Sequence, residues 1–509
     1  MIDAHIKLDL IRNLFKQWNG NKADFIQKLP QTASYREYYR ISYNGNTVIG
    51  VFNEDLKENE AFLSFSNTFN KLNLNVPKVL HVDLDNSVYL LSDLGDTTLY
   101  SLIHAKKHDW NSSPELVKLY HKALDQLLKF QISADKNIDY KFCYPRAKFD
   151  RQSILWDFNY FKYDFLKLGR IGFDEQLLEN EFQKFSEFVA SVNTDYFLYR
   201  DFQSRNIMVK DDDIYFIDYQ GGRKGALQYD VASLLYDAKA EIPNQLREEL
   251  LNHYMDKLES DYKLSRTEFM KSYYAFVLIR IMQAMGAYGF RGLFEKKVHL
   301  IKSILPARKN LKYLLENGKI DFDIPHLHEV FRNIISSDEF NIYEDRVLPN
   351  DKLSVTITSF SYKREIPIDL ADNGGGFVFD CRGLNNPGRH LEYKLLNGRN
   401  VEVKQYLEQN SNVSDFMDHT YPLVDSTIET YLNRGFKNLM INFGCTGGQH
   451  RSVYCADRMF DHLNHKYDIN IFLSHIEQGI KAVSYTHLRA HETVLDLVCR
   501  LLLEKKKNK

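Results

Sequence analysis

The sequence predicts an α+β region of two lobes, followed by a smaller α/β domain built on a strand–loop–helix suited to an anion. Three observations predict it. Residues 37–92 alternate short apolar runs with turn residues, the pattern of a small β-rich lobe. From about residue 97 to 335 the apolar spacing becomes helical, broken mainly by one hairpin between Asp201 and Asp218. A strand at Phe436–Phe443 then runs directly into Gly444–Ser452, a glycine-bearing loop with a helix after it. The expected division is a first domain at 1–335, a linker at 336–351, a second domain at 352–483 and a tail at 484–509.

Composition sets bounds. A chain of 509 residues exceeds one typical core, and 44% hydrophobic with 26% charged residues is ordinary for a globular protein. A net charge of −2 gives no general attraction to nucleic acid or membrane. No apolar run is long enough to span a bilayer and the start lacks a signal-peptide core, so a cytoplasmic location is expected. Cys143, Cys381, Cys445, Cys455 and Cys499 are scattered without a CxxC pair, which argues against a disulfide framework or structural zinc.

The elements follow in order. Residues 1–20 suggest an amphipathic helix. Glu37–Tyr43 and Thr47–Phe52 read as strands joined at Asn44-Gly45-Asn46, a tight-turn signal. A helix begins near Glu58, and Ser87–Ser92 is a further strand ending at Asp93-Leu94-Gly95-Asp96. Within the helical half, Ile207-Met208-Val209 and Ile214–Ile217 flank the polar turn Lys210–Asp213 and form a hairpin. Asn206 and Asp218 then fall side by side at its open end. With Asp201 they fill the places of a kinase catalytic loop: an Asp, an Asn five positions on, and an Asp-x-Gly-like turn after a hairpin. Asp201 would accept the proton of an acceptor hydroxyl, and Asn206 and Asp218 would hold magnesium through hard oxygens.

These residues carry a resemblance. Residues 20–335 resemble the aminoglycoside phosphotransferase and choline kinase-like superfamily, with a bilobed protein-kinase-like fold. Within it they are most similar to bacterial kinases of N-acetylmuramate and N-acetylglucosamine. The matching pieces are Ala33–Arg40, Leu91–Gly95, Tyr199–Gly221 and Gln228–Leu234. The resemblance implies ATP and Mg²⁺ as cofactors, nucleotide contacts at Ser34, Arg36, Arg40, Asp93 and Leu94, and Asp230 as an anchor of the catalytic loop. A plain helix N-cap reading of Asp230 is equally physical. Two departures stand out. The strand Val48–Phe52 has no lysine, leaving Glu58 or Glu60 without its usual partner, with Arg36 or Arg40 as substitute cations; and Tyr199 stands where many relatives have histidine.

Substrate residues are less legible. Asp157 and Tyr160 are candidates for the acceptor pocket, beside Trp156 and Tyr163, whose i, i+4, i+7 spacing equally fits a buried helix face. Arg205 is a candidate contact for the transferred phosphate, and Tyr288–Arg291 a further pocket wall.

In the second domain, converging loop amides and a helix N-terminus favour an anion, with Arg451 as a bidentate partner. Residues 353–478 resemble the C-terminal domain of the RNase adaptor protein RapZ. The resemblance rests on Asp369–Gly376, Phe379–Pro387 and Gly444–Val453. It implies sensing of glucosamine-6-phosphate, with Thr446, Gly447, Gly448, Gln449, His450, Arg451 and Ser452 as the phosphate cradle, and RNA and a ribonuclease as partners. Arg364 occupies a place where that family usually has histidine. Residues 351–483 hold 14 Lys+Arg against 16 Asp+Glu, so RNA contact has little electrostatic support. Cys445 through Ser452 also fits the C-x5-R-[ST] loop of cysteine phosphatases, a rival chemistry. Residues 484–509 read as translated sequencing-adapter sequence, so Lys505–Lys507, Cys499 and His487 are not taken as ligands.

The combined expectation is an ATP-dependent small-molecule kinase, acting on an amino sugar, joined to a sugar-phosphate-sensing domain. The alternatives are a non-catalytic nucleotide and sugar-phosphate sensor, and a phosphatase-like second domain.

Overall fold

The computed structural model describes residues 3–30, 36–337, 339–340, 352–369, 371 and 375–484. It divides into two compact units, Met1–Glu344 and Asp345–Lys509. Among the described residues no helix is long and apolar enough to cross a membrane.

The first unit opens with a five-stranded antiparallel sheet, ordered β1-β2-β3-β5-β4. Its strands are β1 (Phe25–Lys28), β2 (Glu37–Tyr43), β3 (Asn46–Phe52), β4 (Val79–Asp83) and β5 (Val88–Ser92). The β2–β3 turn has positive φ at Asn44 and Gly45, the conformation that the Asn-Gly pair adopts readily. Strand alternation divides the sheet's two faces. Val48 and Phe52 of β3 join Ile11, Leu14 and Phe15 of the helix Ala4–Asn19 on one side. Gly50 lies beneath that helix, where an added Cβ would come within 2.8 Å of Ile11 Cγ2. Ile49 and Val51 face the opposite side, in a core shared with Phe62, Phe65 and Phe69 of the helix Leu56–Lys71.

Glu37 ties this lobe together, accepting from Lys7 and Lys28 at 2.7 Å each and from Tyr39 Oη at 2.7 Å. Burial pushes its carboxyl up, but the hydrogen bonds from Lys28, Lys7 and Tyr39 outweigh it and hold the group down at about 2. The stabilisation is thus present above the ordinary Glu range and lost as pH falls through about 2. Glu37→Gln is expected to lower unfolding free energy at pH 7 by about 2 kcal/mol, and by little near pH 2. Urea titrations at the two pH values check this; an equal loss at both would refute it.

The remainder of the first unit is helical, with two small sheets inserted. One pairs β6 (Tyr196–Leu198) with β9 (Arg223–Gly225); the other pairs β7 (Ile207–Lys210) with β8 (Asp213–Phe216).

The second unit is an α/β sheet ordered β11-β12-β10-β13-β14. Its strands are β10 (Ser354–Ser361), β11 (Phe377–Asp380), β12 (Asn438–Cys445), β13 (Asn470–His475) and β14 (Ile480–Ser484). All pairings are parallel except β13–β14. The helix Arg451–Lys466 packs on β10, β12 and β13. The sheet therefore continues to Ser484, where the adapter-like stretch was expected to begin. Residues 485–509, with Cys499, His487 and Lys505–Lys507, lie outside the described residues, as does most of the expected linker.

Candidate functional site

The β7–β8 hairpin runs in register from Ile207↔Phe216 to Lys210↔Asp213, which brings Asn206 and Asp218 together at its base. Asn206 Nδ2 donates to the Asp201 carbonyl at 2.8 Å and to Asp218 Oδ2 at 3.2 Å. All three residues thus meet in one place. Asp218 has φ +68° and Arg200 φ +83°, left-handed conformations that non-glycine residues hold only under constraint.

The constraint comes from below. Asp230 accepts the amides of Tyr199 at 2.8 Å and Arg200 at 3.0 Å, and burial pushes its carboxyl up to about 7. This is the loop anchor anticipated from the resemblance. Tyr199 Oη donates to the Ile217 carbonyl at 2.6 Å, joining the loop to the segment before Asp218. Arg200 makes a two-pronged pair with Asp157 at 2.8 and 3.0 Å and donates to Tyr229 Oη at 2.5 Å. Asp157 is buried and committed to this pair. Its place is that of a loop support, with each carboxylate oxygen already accepting from Arg200.

Neighbouring residues depart further from expectation. Trp156 and Tyr163 are 46% and 48% exposed, so the buried-stripe reading fails for both. Tyr160 is half-buried against Gly286, where an added Cβ would come within 2.7 Å of its ring. Gly289 abuts the backbone of Asp164, which makes Tyr288–Arg291 a packed contact more than an open wall. Arg280 was not anticipated. It is buried, is held by Ser233 Oγ at 2.8 Å, and places Nη2 3.9 Å from Asp201 Oδ1. The available signal was an arginine inside the apolar run Ala275–Met282. Arg205 is exposed, and its charge reaches Asp218. Lys239 is pushed down to about 8 by burial and then by Arg205.

The two candidate cations of the first lobe separate. Arg40 pairs with Asp93 at 2.6 and 3.1 Å and with Asp96 at 2.9 Å. Asp93 lies below its ordinary range: burial opposes this, but Arg40 and the Gly95 amide prevail. Leu94 is buried beside it. Arg36 instead reaches Glu58, so the expectation that Glu58 lacks a partner is corrected: Arg36 Nη2 lies 3.1 Å from Glu58 Oε1. Ser34 lies outside the described residues.

The residues present fit magnesium. Asp218 supplies a carboxylate that burial, and then the charge of Asp201, push above the ordinary Asp range, a penalty a cation would offset. With Asn206 Nδ2 committed to Asp201, its Oδ1 is the amide atom left to a cation. Gln220 donates Nε2 to Asp218 Oδ1 at 2.8 Å, while its Oε1 is buried without a hydrogen-bond partner. Among the described residues no group of three His, Cys, Asp or Glu side chains is placed to hold a metal. A cation here would be held by the Asp218 carboxylate and the Asn206 amide oxygen, with substrate phosphates and water filling its other positions.

In the second unit the loops after β10, β11, β12 and β13 converge at the carboxyl ends of the parallel strands, the usual ligand edge of such a sheet. Ser361 Oγ donates to the Thr446 carbonyl at 2.8 Å, and Gln478 Nε2 to the Gly448 carbonyl at 3.1 Å. Gly448 has φ +64° and faces Glu477 so closely that a Cβ would come within 2.5 Å of it. His450 is buried with Nε2 2.9 Å from the Tyr393 carbonyl. Thr446, Gly447 and Gln449 are exposed and form the open surface of the loop, whereas Ser452 is buried with Oγ 3.2 Å from Cys445 Sγ.

Arg451 differs from expectation. It is 4% exposed, and Nη1 donates to the carbonyls of Arg382 and Leu384 at 2.9 Å each. This ties the loop after β11 to the helix start and leaves Nη2, 3.4 Å from Thr446 Oγ1, and Nε, buried with no hydrogen-bond partner, outside that tie. The same arrangement disfavours the phosphatase alternative, which needs an accessible thiolate beside a free guanidinium; Cys445 is buried. Arg364 pairs with Glu477 at 3.1 Å, and the exposed Arg382 pairs with Asp380 at 2.7 Å. Ser359, His475 and Asp457 form a hydrogen-bonded chain through 2.9 and 3.1 Å contacts, but the serine is wholly buried and serves the core.

Family models match both units: the phosphotransferase enzyme family over residues 26–263, and the RapZ C-terminal domain over residues 353–478. Each match covers less than half of the chain: the phosphotransferase-like region holds the Asp201 loop, and the RapZ C-terminal-like region holds the Thr446–Ser452 loop. Similar curated proteins are named nucleotide-binding proteins. One from Dictyoglomus turgidum is 33% identical over 189 residues, covering 37% of this chain and 60% of its own. One from Xanthomonas oryzae pv. oryzae is 37% identical over 143 residues, covering 28% and 46%. The chain thus spans 60% or less of either relative. Among solved structures, choline kinase from Streptococcus pneumoniae aligns with a TM-score of 0.39 and 14% identity, covering 66% of this chain and all of that one.

Proposed function

We propose that the protein is an ATP- and magnesium-dependent kinase of a small-molecule hydroxyl, with an amino sugar as acceptor, whose RapZ C-terminal domain binds a sugar phosphate. The observation that carries the kinase reading is the meeting of Asp201, Asn206 and Asp218 on a loop pinned by Asp230. Asp201 accepts the acceptor proton as the oxygen attacks phosphorus, and Arg280 keeps that carboxylate in place. Asn206 and Asp218 hold the magnesium, which neutralises phosphate charge when bound. Arg205, exposed beside this site, faces the transferred phosphoryl group. At the second site, the exposed residues Thr446, Gly447 and Gln449 at a helix N-terminus receive the anion, and buried His450 and Arg451 fix the loop through the carbonyls of Tyr393, Arg382 and Leu384.

The test is ATP consumption by the full chain against amino sugars, choline and aminoglycosides, with sugar-phosphate binding titrated in parallel. Turnover with an amino sugar is expected. Retained nucleotide binding with no turnover on any acceptor would replace the kinase with the sensor alternative.

A further inference from the structure

A kinase ordinarily sets a lysine of the third strand against the nucleotide phosphates and pairs it with a glutamate of the following helix. Here β3 has no lysine, yet the glutamate is present and held. Glu58 lies in the first turn of the helix Leu56–Lys71, whose N-cap Asp55 accepts the Glu58 amide. Glu58 Oε2 accepts from Asn53 Nδ2 at 2.9 Å, and Oε1 accepts from Gln220 Nε2 at 3.2 Å and pairs with Arg36 at 3.1 Å. Arg36 just precedes β2, the neighbour of β3, so its side chain arrives from a different strand.

Other cations are engaged elsewhere. Arg40 is closed into Asp93 and Asp96, and Lys57 lies over the ring of Tyr144 at 6.0 Å. Arg36 is 3% exposed, near the Tyr38 hydroxyl at 3.5 Å and above the Phe62 ring at 5.7 Å. Its charge reaches Asp218. Gln220 completes the connection, since one Nε2 donates both to Glu58 and, at 2.8 Å, to Asp218 Oδ1. A continuous polar chain therefore joins Arg36, Glu58, Gln220 and Asp218.

We propose that Arg36 replaces the missing strand lysine as the phosphate-facing cation, and that Gln220 carries the position of the Arg36–Glu58 pair to the metal-holding carboxylate. This rests on the kinase reading. It makes Arg36 a phosphate-contacting residue and Gln220 a positioning residue, and it removes the absent lysine as an argument for the sensor.

The test uses the full chain and two probes, MgATP and adenosine, titrated separately. Arg36→Ala is expected to weaken MgATP binding by about tenfold or more while adenosine binding stays within about twofold, because adenosine lacks the phosphates. Arg36→Lys is expected to recover much of the loss. Gln220→Ala is expected to raise the magnesium concentration needed for half-maximal ATP binding while adenosine binding is unchanged. Unaltered MgATP binding by Arg36→Ala would overturn the assignment, as would equal loss of both probes in the Ala and Lys variants. A wild-type chain that binds neither MgATP nor adenosine would sink the kinase reading itself, and this proposal with it.

Discussion

Asp201→Asn is expected to lower phosphoryl-transfer turnover by about 10²- to 10⁴-fold while leaving MgATP affinity within a few-fold. The substitution keeps the shape of the side chain and removes its ability to take a proton. Its effect on the fold should be small because the loop is held by other groups: Asp230 through two backbone amides, Tyr199 through the Ile217 carbonyl, and Arg200 through Asp157. Asn206 contacts the Asp201 backbone carbonyl, which the variant retains. Turnover near that of the wild type would remove Asp201 from the chemistry and, with it, the reaction class proposed here. Turnover and nucleotide affinity falling together would show that the residue holds the site together.

Asp157→Ala is expected to destabilise the phosphotransferase domain by about 3–5 kcal/mol, the range for breaking a buried pair and stranding its partner. Arg200 is the stranded group. Its guanidinium lies 4.9 and 5.1 Å from the ring centroids of Phe149 and Tyr229, its side chain is 17% exposed, and its backbone holds the positive φ next to Asp201. Chemical denaturation should show the loss directly, and turnover should fall with it. Replacing both partners, Asp157→Leu with Arg200→Met, should recover part of the stability because no buried charge remains unpaired. A variant of wild-type stability with only a raised KM for the acceptor would return Asp157 to the substrate pocket.

The legible parts of the sequence are those whose signal is local. The Asn44-Gly45 turn, the apolar strands either side of Lys210–Asp213, and the glycine loop running from β12 into a helix each contain their own evidence within about ten residues. What escaped was partner choice across the fold. Arg36 and Arg40 are near neighbours in sequence on similar backbone, and only the approach of Glu58 to one and Asp93 to the other separates them. Arg451 looked like a phosphate ligand because nothing nearby in sequence announces the carbonyls of Arg382 and Leu384 that claim it. Trp156 and Tyr163 carried a helical spacing that fits burial, but among the described residues both side chains remain about half exposed. Arg280 was obscured by its apolar surroundings, which bury its guanidinium while the Asp201 carboxylate opposite stays partly exposed.

The sheet of the RapZ C-terminal domain also sets an order of events in folding. Its central strand, β10, comes first in sequence, and its two neighbours, β12 and β13, come much later: Ser354 pairs with Asn438 on one side and Asn470 on the other. The Asn470 and Ser354 side chains that meet there are separated by 116 residues. Parallel pairing at such separation closes slowly, because a long loop must be ordered before any contact rewards it. The β2–β3 hairpin, by contrast, can form around its own turn. On a growing chain, the first lobe can thus begin to assemble while β10 still waits with both edges open. The loop Thr446–Ser452 is also bridged by Gln478, which follows β13, so that contact with the Gly448 carbonyl forms only once β13 has arrived.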